Sequence, residues 1–277
     1  MSATPKDLDG PVAGSVSAAC ATPRAPLTAL TFDFWNTLYS ADHGSWEQVK
    51  PRRVGTLGEL LAAAGLHPSD EEMERVYALG FEAYVAAWTG GRHFGAREEA
   101  FFFLEHFGAD IGSLDEEVLS QAILDIENAA RLGSIPLVRG VAETIPRLAA
   151  SGYRLGLISD TSLTPGRVLR EFLDQDGLLE YFSVLTFSDE TGYPKPDPRM
   201  FISTLTALAA EPSRAAHIGD TPRTDIRGAK DVGMVAIRCA SVMDHTESPE
   251  ADFVIRDHRE LPLILRIGDQ GVAPASF

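Results

Sequence analysis

Leu27–Leu38 reads LTALTFDFWNTL. Its apolar run, rich in Thr, Ala, Leu and Phe, stops abruptly at Asp33, and the chain turns through Asn36 and Thr37 just beyond. A continuous apolar run is the mark of a strand buried on both faces of a parallel sheet. An acid at its carboxyl end stands where open α/β sheets bind their ligands. On this stretch alone, Asp33 is equally well a buried core acid or a helix N-cap, and three later stretches have to arbitrate.

On the amino-terminal side, residues 1–25 mix Ser, Ala, Thr, Gly and Pro without periodicity, the composition of a disordered tail. On the other side, from about Ala41 to Ile135, no strand pattern appears and the segments are amphipathic. Pro68-Ser69-Asp70 followed by two glutamates is a helix start, after which Met73, Tyr77, Phe81, Tyr84 and Trp88 recur at helical spacing. This aromatic stripe is expected to face the inside of a helical bundle. Further helices are expected over Trp46–Ala64, Ala96–Phe107 and Asp115–Arg131, enough for a four-helix unit.

After Pro136 the chain alternates between strand and helix. Strands are expected near 153–159, 183–187, 215–219, 234–238 and 252–255, with helices over 141–150, 165–173 and 200–210 and one more at the end. Repeated βα units of this length predict a doubly wound, Rossmann-like parallel sheet. The expected organisation is an α/β core of residues 26–40 and 136–277, interrupted by a helical insertion, 41–135, at the ligand-bearing edge.

Composition narrows the partners. The formal charge of −16 over 277 residues speaks against nucleic acid, which is bound by clustered Lys and Arg. The insertion holds 17 acidic and 7 basic residues, which disfavours a polyanionic substrate. No apolar run is long enough to span a bilayer, and no secretory pattern is evident. Cys20 and Cys239 form no disulfide or metal motif, so a cytoplasmic location is the expectation.

The chemistry-bearing residues lie at strand ends. Asp33 and Thr37 follow the first strand, Ser159-Asp160-Thr161 the second; Lys195 lies in GYPKPDP, and Asp220 and Asp225 in GDTPRTD. Together they offer a carboxylate nucleophile, a hydroxyl donor, a cation and extra carboxylates, with Ser159, Asp160 and Lys195 as candidates to hold a substrate. An Asp can form an acyl-phosphate and so split one displacement into two. Carboxylates converging on a phosphate need a hard cation, and Mg²⁺ suits them.

With these motifs in order, the chain resembles the haloacid dehalogenase (HAD) superfamily over about Leu27–Arg266: DFWNT, LISDT, the Lys195 loop and GDTPRTD. The resemblance implies a phosphatase-like hydrolase acting on a small phosphorylated metabolite. It implies Asp33 as nucleophile and Mg²⁺ ligand, the residue 35 backbone carbonyl and Asp220 as further ligands, and Asp225 as a ligand directly or through water. Thr37 would support the loop, Ser159 would bind the phosphoryl group and Lys195 would stabilise charge. The insertion would be the helical lid known as a C1 cap.

One position departs from the family pattern. Its phosphatases carry a second Asp two residues after the nucleophile, as acid and then base; here that residue is Trp35. Indole is no acid or base, and losing one typically costs a factor of about 10² to 10⁴. Four outcomes follow: a phosphatase for acyl or aryl phosphates, which leave without a proton; a stand-in such as His43 or Glu47; a dehalogenase, or a phosphonate hydrolase using Lys50 as a Schiff base; or a protein that only binds a phosphorylated ligand or a protein partner. Substrate and oligomeric state are not legible.

Overall fold

The computed structural model describes residues 26–41 and 46–265; the expected amino-terminal tail, Cys20 and His43 lie outside them. β1 (Ala29–Phe32) is buried along its whole length and pairs in parallel with β2 (Arg154–Ser159) on one side and β4 (Ala215–Gly219) on the other. With β3 (Phe182–Phe187), β5 (Val235–Cys239) and β6 (Phe253–Ile255), the sheet has six strands in the order β3-β2-β1-β4-β5-β6. The chain winds outward from β1 to β3, then crosses back and winds the other way from β4. This reversal leaves a crevice at the carboxyl ends of β1 and β4, the usual ligand position of such sheets.

Alternation along β1 feeds both layers, as a pleated strand must. Leu30 and Phe32 join a core with α5 (Val141–Ala150) and α6 (Gly166–Gln175), whereas Ala29 joins one with α8 (Pro198–Ala207) and α9 (Arg227–Asp231). Two short helices, α7 (Ser188–Thr191) and α10 (Leu261–Ile264), complete this part. α5 ends at Gly152, whose φ of +85° a side chain would strain, and the next amide reaches back to Leu148 at 3.3 Å. α8 starts two residues earlier than expected, because Asp197 caps the Arg199 amide and Pro198 suits a first turn.

Between β1 and β2 lie α1 (Val49–Ala63), α2 (Asp70–Thr89), α3 (Ala96–His106) and α4 (Glu116–Asn128), built around a separate apolar cluster that includes Leu57, Val76, Phe103 and Ile126. Ser69 and Glu72 close a capping box at the start of α2. The aromatic stripe of α2 corrects its expectation. Met73 is buried in the helical cluster and Tyr77 packs on it, but Phe81 is 63% exposed. Tyr84 and Trp88, two turns further on, leave the cluster and face the sheet's carboxyl edge.

This helical segment is fastened to the sheet by directed contacts. Arg53 of α1 is buried, with Nε on the Ile126 carbonyl and Nη2 on Thr164 Oγ1 at 2.9 Å. Arg167 pairs with Glu127 at 2.7 Å, and the Trp88 indole bonds Asp160 at 2.8 Å. Among the described residues, no helix is long and apolar enough to cross a membrane.

Candidate active site

The Asp33 amide donates to the Ile218 carbonyl at 2.8 Å, so the sheet ladder itself carries the acid to its edge. The turn beyond is closed by the Leu38 and Tyr39 amides on the Phe34 carbonyl, with Asn36 at φ +55°, a conformation Asn tolerates, accepting from the Ala41 amide. Tyr39 anchors it from below, stacked on Phe34 at 4.5 Å and donating to the Phe172 carbonyl. Thr37 is buried, and its hydroxyl has no hydrogen-bond partner among the described residues. The Trp35 carbonyl accepts no backbone bond there either.

Lys195 is buried at 2% exposure, with Nζ 2.6 Å from both Asp33 Oδ1 and Asp225 Oδ1. Asp33, Asp220 and Asp225 each offer an oxygen within 4.8 Å of the others. Asp220 stands just before a wide π-helical turn, Pro222–Ile226, that contains Asp225, a kind of turn often found at functional sites. Gly219 is required beside it, since a Cβ there would overlap the Asp225 carboxyl carbon.

Three buried carboxylates share one lysine, and their ionisation records the imbalance. Burial pushes the Asp33 carboxyl well above the usual range, with Lys195 opposing and Asp225 and Asp220 adding to the rise. Burial, reinforced by Asp225, lifts Asp220 to about 6. Burial would raise Asp225 too, but Lys195 and His217 hold it below the ordinary range. Burial works against the Lys195 charge, and Asp225 and Asp33 outweigh it, keeping the ammonium. A hard divalent cation fits this all-oxygen, charge-deficient set.

The ligand expectations are refined accordingly. Asp220 accepts Thr221 Oγ1 on Oδ1 at 3.0 Å and faces His245 Nε2 from Oδ2 at 3.9 Å, beyond hydrogen-bond distance, so that oxygen keeps lone pairs that an ion could use. Asp225 is occupied: Lys195 and His217 meet Oδ1 and the Thr221 amide meets Oδ2. Its oxygens are thus committed to holding Lys195, His217 and the turn.

Ser159 is buried and its hydroxyl donates to the Asp160 carbonyl at 3.0 Å; holding a phosphoryl oxygen would require that proton to turn. Asp160, expected to contact the substrate, has both carboxylate oxygens engaged within the protein. Its Oδ1 accepts the Lys195 amide at 2.7 Å and its Oδ2 the Trp88 indole at 2.8 Å. A carboxylate that also repels phosphate serves here as a bracket for the lysine loop. Thr161 bonds Ser188 and Asp189, a local tie.

The stand-ins for an acid at position 35 fare unequally. Trp35 is half-buried, edge-on to Phe34 at 4.9 Å and against Trp46 at 5.5 Å, so indole fills its surroundings with apolar surface. Glu47 is exposed and, with Lys50, lines a cavity of about 890 Å³ between α1 and α2. Lys50 is half-exposed and paired with Glu74 at 2.6 Å, which removes the Schiff-base reading. His43 lies outside the described residues.

His217, Tyr84, Trp88 and Arg223 were not singled out as site residues. His217 is buried, its Nε2 3.1 Å from Asp225 and its Nδ1 2.9 Å from Thr31 Oγ1. Burial holds its pKa down, so the neutral ring donates to Asp225 and accepts from Thr31. Its signal was a lone polar residue in the apolar run AAHIG. The other three gave no signal beyond helical spacing and a place inside GDTPRTD.

Strand-end carboxylates around a buried lysine, at the switch point of a doubly wound parallel sheet, define a class of α/β enzyme sites. The haloacid dehalogenase-like hydrolase family model matches residues 27–233, and the chain belongs to that family. It is 26% identical over 247 residues to the glyceraldehyde 3-phosphate phosphatase of Methanopyrus kandleri, covering 87% of this chain and 97% of that one. Two further curated matches are shorter. The matched stretch spans 38% of bovine (Bos taurus) haloacid dehalogenase-like hydrolase domain-containing protein 3, at 36% identity over 35% of this chain. It spans 37% of the Thermus thermophilus phosphoserine phosphatase, at 40% identity over 33% of this chain. Among solved structures, a HAD phosphatase from Thermococcus onnurineus superposes with a TM-score of 0.60 at 26% identity, covering 89% of this chain and all of that one. A 2-haloacid dehalogenase from Pseudomonas syringae, TM-score 0.63 at 23% identity over 87% of this chain and 98% of that one, shares the fold.

Proposed function

We propose that the chain is a Mg²⁺-dependent phosphatase of a small phosphorylated metabolite, working through an aspartyl-phosphate on Asp33. The observation that carries this reading is Lys195 Nζ, buried and 2.6 Å from both Asp33 and Asp225. It is supported by similarity to a glyceraldehyde 3-phosphate phosphatase along nearly that protein's full length. Residues 41–135 act as the cap, and 26–40 with 136–277 as the core.

Asp33, Asp220 and the Trp35 carbonyl would hold the ion, with Asp225 behind them. When bound, Mg²⁺ supplies charge neutralisation for a phosphoryl group brought against the carboxylates. Lys195 holds Asp33 Oδ1, leaving the other oxygen for attack on phosphorus. A P–O bond forms as the ester P–O bond breaks, and Lys195 offsets charge on the equatorial oxygens. Water then attacks phosphorus, releasing phosphate and restoring the Asp33 carboxylate. At neither stage does residue 35 move a proton, so leaving groups that depart as stable anions are favoured. Two carboxylates plus a lysine around an ion do not suit a metal-free dehalogenase.

The test is a turnover screen of aryl and acyl phosphates against alkyl phosphates, with and without Mg²⁺, beside Asp33→Asn. Metal-dependent turnover biased to aryl and acyl esters, abolished by the variant, is expected. Chloride release from a haloacid without metal would overturn the reading.

A further inference from the structure

In the turn after β4, beside α2, lies an arginine with no ion-pair partner among the described residues. Arg223 lies between Asp220 and Asp225 in sequence, and its Cζ stands 3.9 Å from the centroid of the Trp88 ring. Trp88 is fixed by its bond to Asp160 and stacks on Tyr84, centroids 6.3 Å apart and planes within 8°. Phe94 meets Tyr84 edge-on at 6.3 Å.

Arg223 Nη2 is shut off from solvent and has no hydrogen-bond partner among the described residues. Contact with an indole face satisfies the face of a guanidinium, but its N–H groups lie in the guanidinium plane and need oxygen acceptors. A buried donor left without one is costly, and the described residues supply none at Nη2. Burial pushes the Tyr84 hydroxyl up to about 12; Asp160 and Asp33 add to the rise and Arg223 opposes it. Trp88, on which Arg223 lies, bonds the same Asp160 that holds the Lys195 amide, so these contacts place the guanidinium beside the loop that carries Lys195 to Asp33.

We propose that Arg223 determines specificity by receiving a carboxylate at the far end of the substrate, so that the substrate class is small phosphorylated carboxylic acids. This rests on the phosphatase reading above. A planar carboxylate matches the guanidinium fork and brings one negative charge to one arginine. A second phosphate would bring more charge than Arg223 offsets beside Asp33, Asp160 and Asp220. Tyr84 and Trp88 wall the space between the two anionic ends and keep the substrate short.

The test is calorimetric binding with Mg²⁺ to the Asp33→Asn protein, which separates affinity from turnover. The probes are 2-phosphoglycolate and 2-hydroxyethyl phosphate, equal in length and differing in the terminal carboxylate. The acid is expected to bind tighter by about tenfold or more, the scale of a charge-assisted pair. Adding Arg223→Gln should bring the ratio close to one, and Arg223→Lys should restore part of it. An equal affinity for both probes, no binding of either, or a ratio that survives Arg223→Gln overturns the proposal. Tighter binding of ethanediol bisphosphate than of 2-phosphoglycolate overturns the carboxylate assignment. Wild-type turnover of the same pair reads the phosphatase proposal separately: an arginine-dependent ratio without turnover would sink that reading alone, and turnover with no arginine dependence would sink only this one.

Discussion

The indole N–H of Trp88, on the helical insertion, donates to Asp160 Oδ2, at the end of β2, across 2.8 Å. The other oxygen of that carboxylate carries the Lys195 amide at 2.7 Å. One side chain thus ties the insertion to the loop that delivers the buried lysine.

Trp88→Phe keeps the ring and removes the donor. It leaves one Asp160 oxygen short of a partner, which typically costs about 1–3 kcal/mol. A loss of about tenfold in kcat/KM is expected, with a similar loss in Asp160→Asn. Because the two residues form one connection, the double variant should lose far less than the product, as a double-mutant cycle would measure. Strictly multiplicative losses would show that the bracket does not act as a unit.

Lys195→Met leaves Asp33 and Asp225 buried without their counter-charge. Breaking a buried pair in this way costs about 3–5 kcal/mol, and Tm should fall by about 10 °C. Turnover should drop by a factor of at least about 10³. Millimolar Mg²⁺ should recover part of the lost Tm and shift the variant more than the wild type, since the carboxylates then lack any other cation. Identical Mg²⁺ shifts in thermal scans would count against these acids as the metal site.

Trp35→Asp restores a carboxyl where an acid is missing. The expected result is an alkyl-to-aryl turnover ratio raised at least tenfold, part of the roughly 10²–10⁴ that a positioned acid and base supplies. The cost is the contact of Trp35 with Phe34 and Trp46, about 2 kcal/mol of stability. A folded variant with an unchanged ratio would mean that another group already supplies the proton.

Glu99 and His258 make opposite contributions to acid stability. Burial pushes Glu99 up to about 7, with Arg53 opposing. Between about pH 4.5 and 7 the folded chain therefore keeps a proton that the unfolded chain has lost, and stability falls as pH rises through that window. Burial pushes His258 down to about 4. Between about pH 6.5 and 4 the unfolded chain holds the extra proton, and stability falls as pH falls. Each is worth at most about 3 kcal/mol, and they offset one another where the windows overlap. Glu99→Gln should remove one slope, so that Tm drops more steeply than in wild type on acidification from pH 6.5 to 4.5. Thermal unfolding followed across this range checks it; parallel curves for the two proteins would rule it out.

The architecture was open to reading because its signals are local. LTALTFD, YRLGLIS and AAHIGD announce central strands through unbroken apolar runs, and the parallel sheet then places Asp33, Ser159 and Asp220 at one edge. Pro68-Ser69-Asp70 with the two glutamates announced α2 for the same reason, since a helix start is satisfied within a few residues, here by the Ser69–Glu72 capping box. The stripe on α2 shows the limit. Helical period states which residues share a face, but Met73 meets other helices and Trp88 meets Asp160, 72 residues away in sequence.

What the sequence determined by itself was the strand and helix order and the identity of the acids, hydroxyls and lysine at the strand ends, because patterning and residue chemistry need no partner to be read. The tertiary structure alone decided which of them touch: that Lys195 turns inward between two acids, that Asp160 is consumed in holding its loop, and that Arg223 is left with an unmatched donor. Those outcomes depend on distances between segments far apart in the chain. Coulomb interaction and hydrogen bonding change over a few ångströms, a scale that spacing along a sequence does not encode.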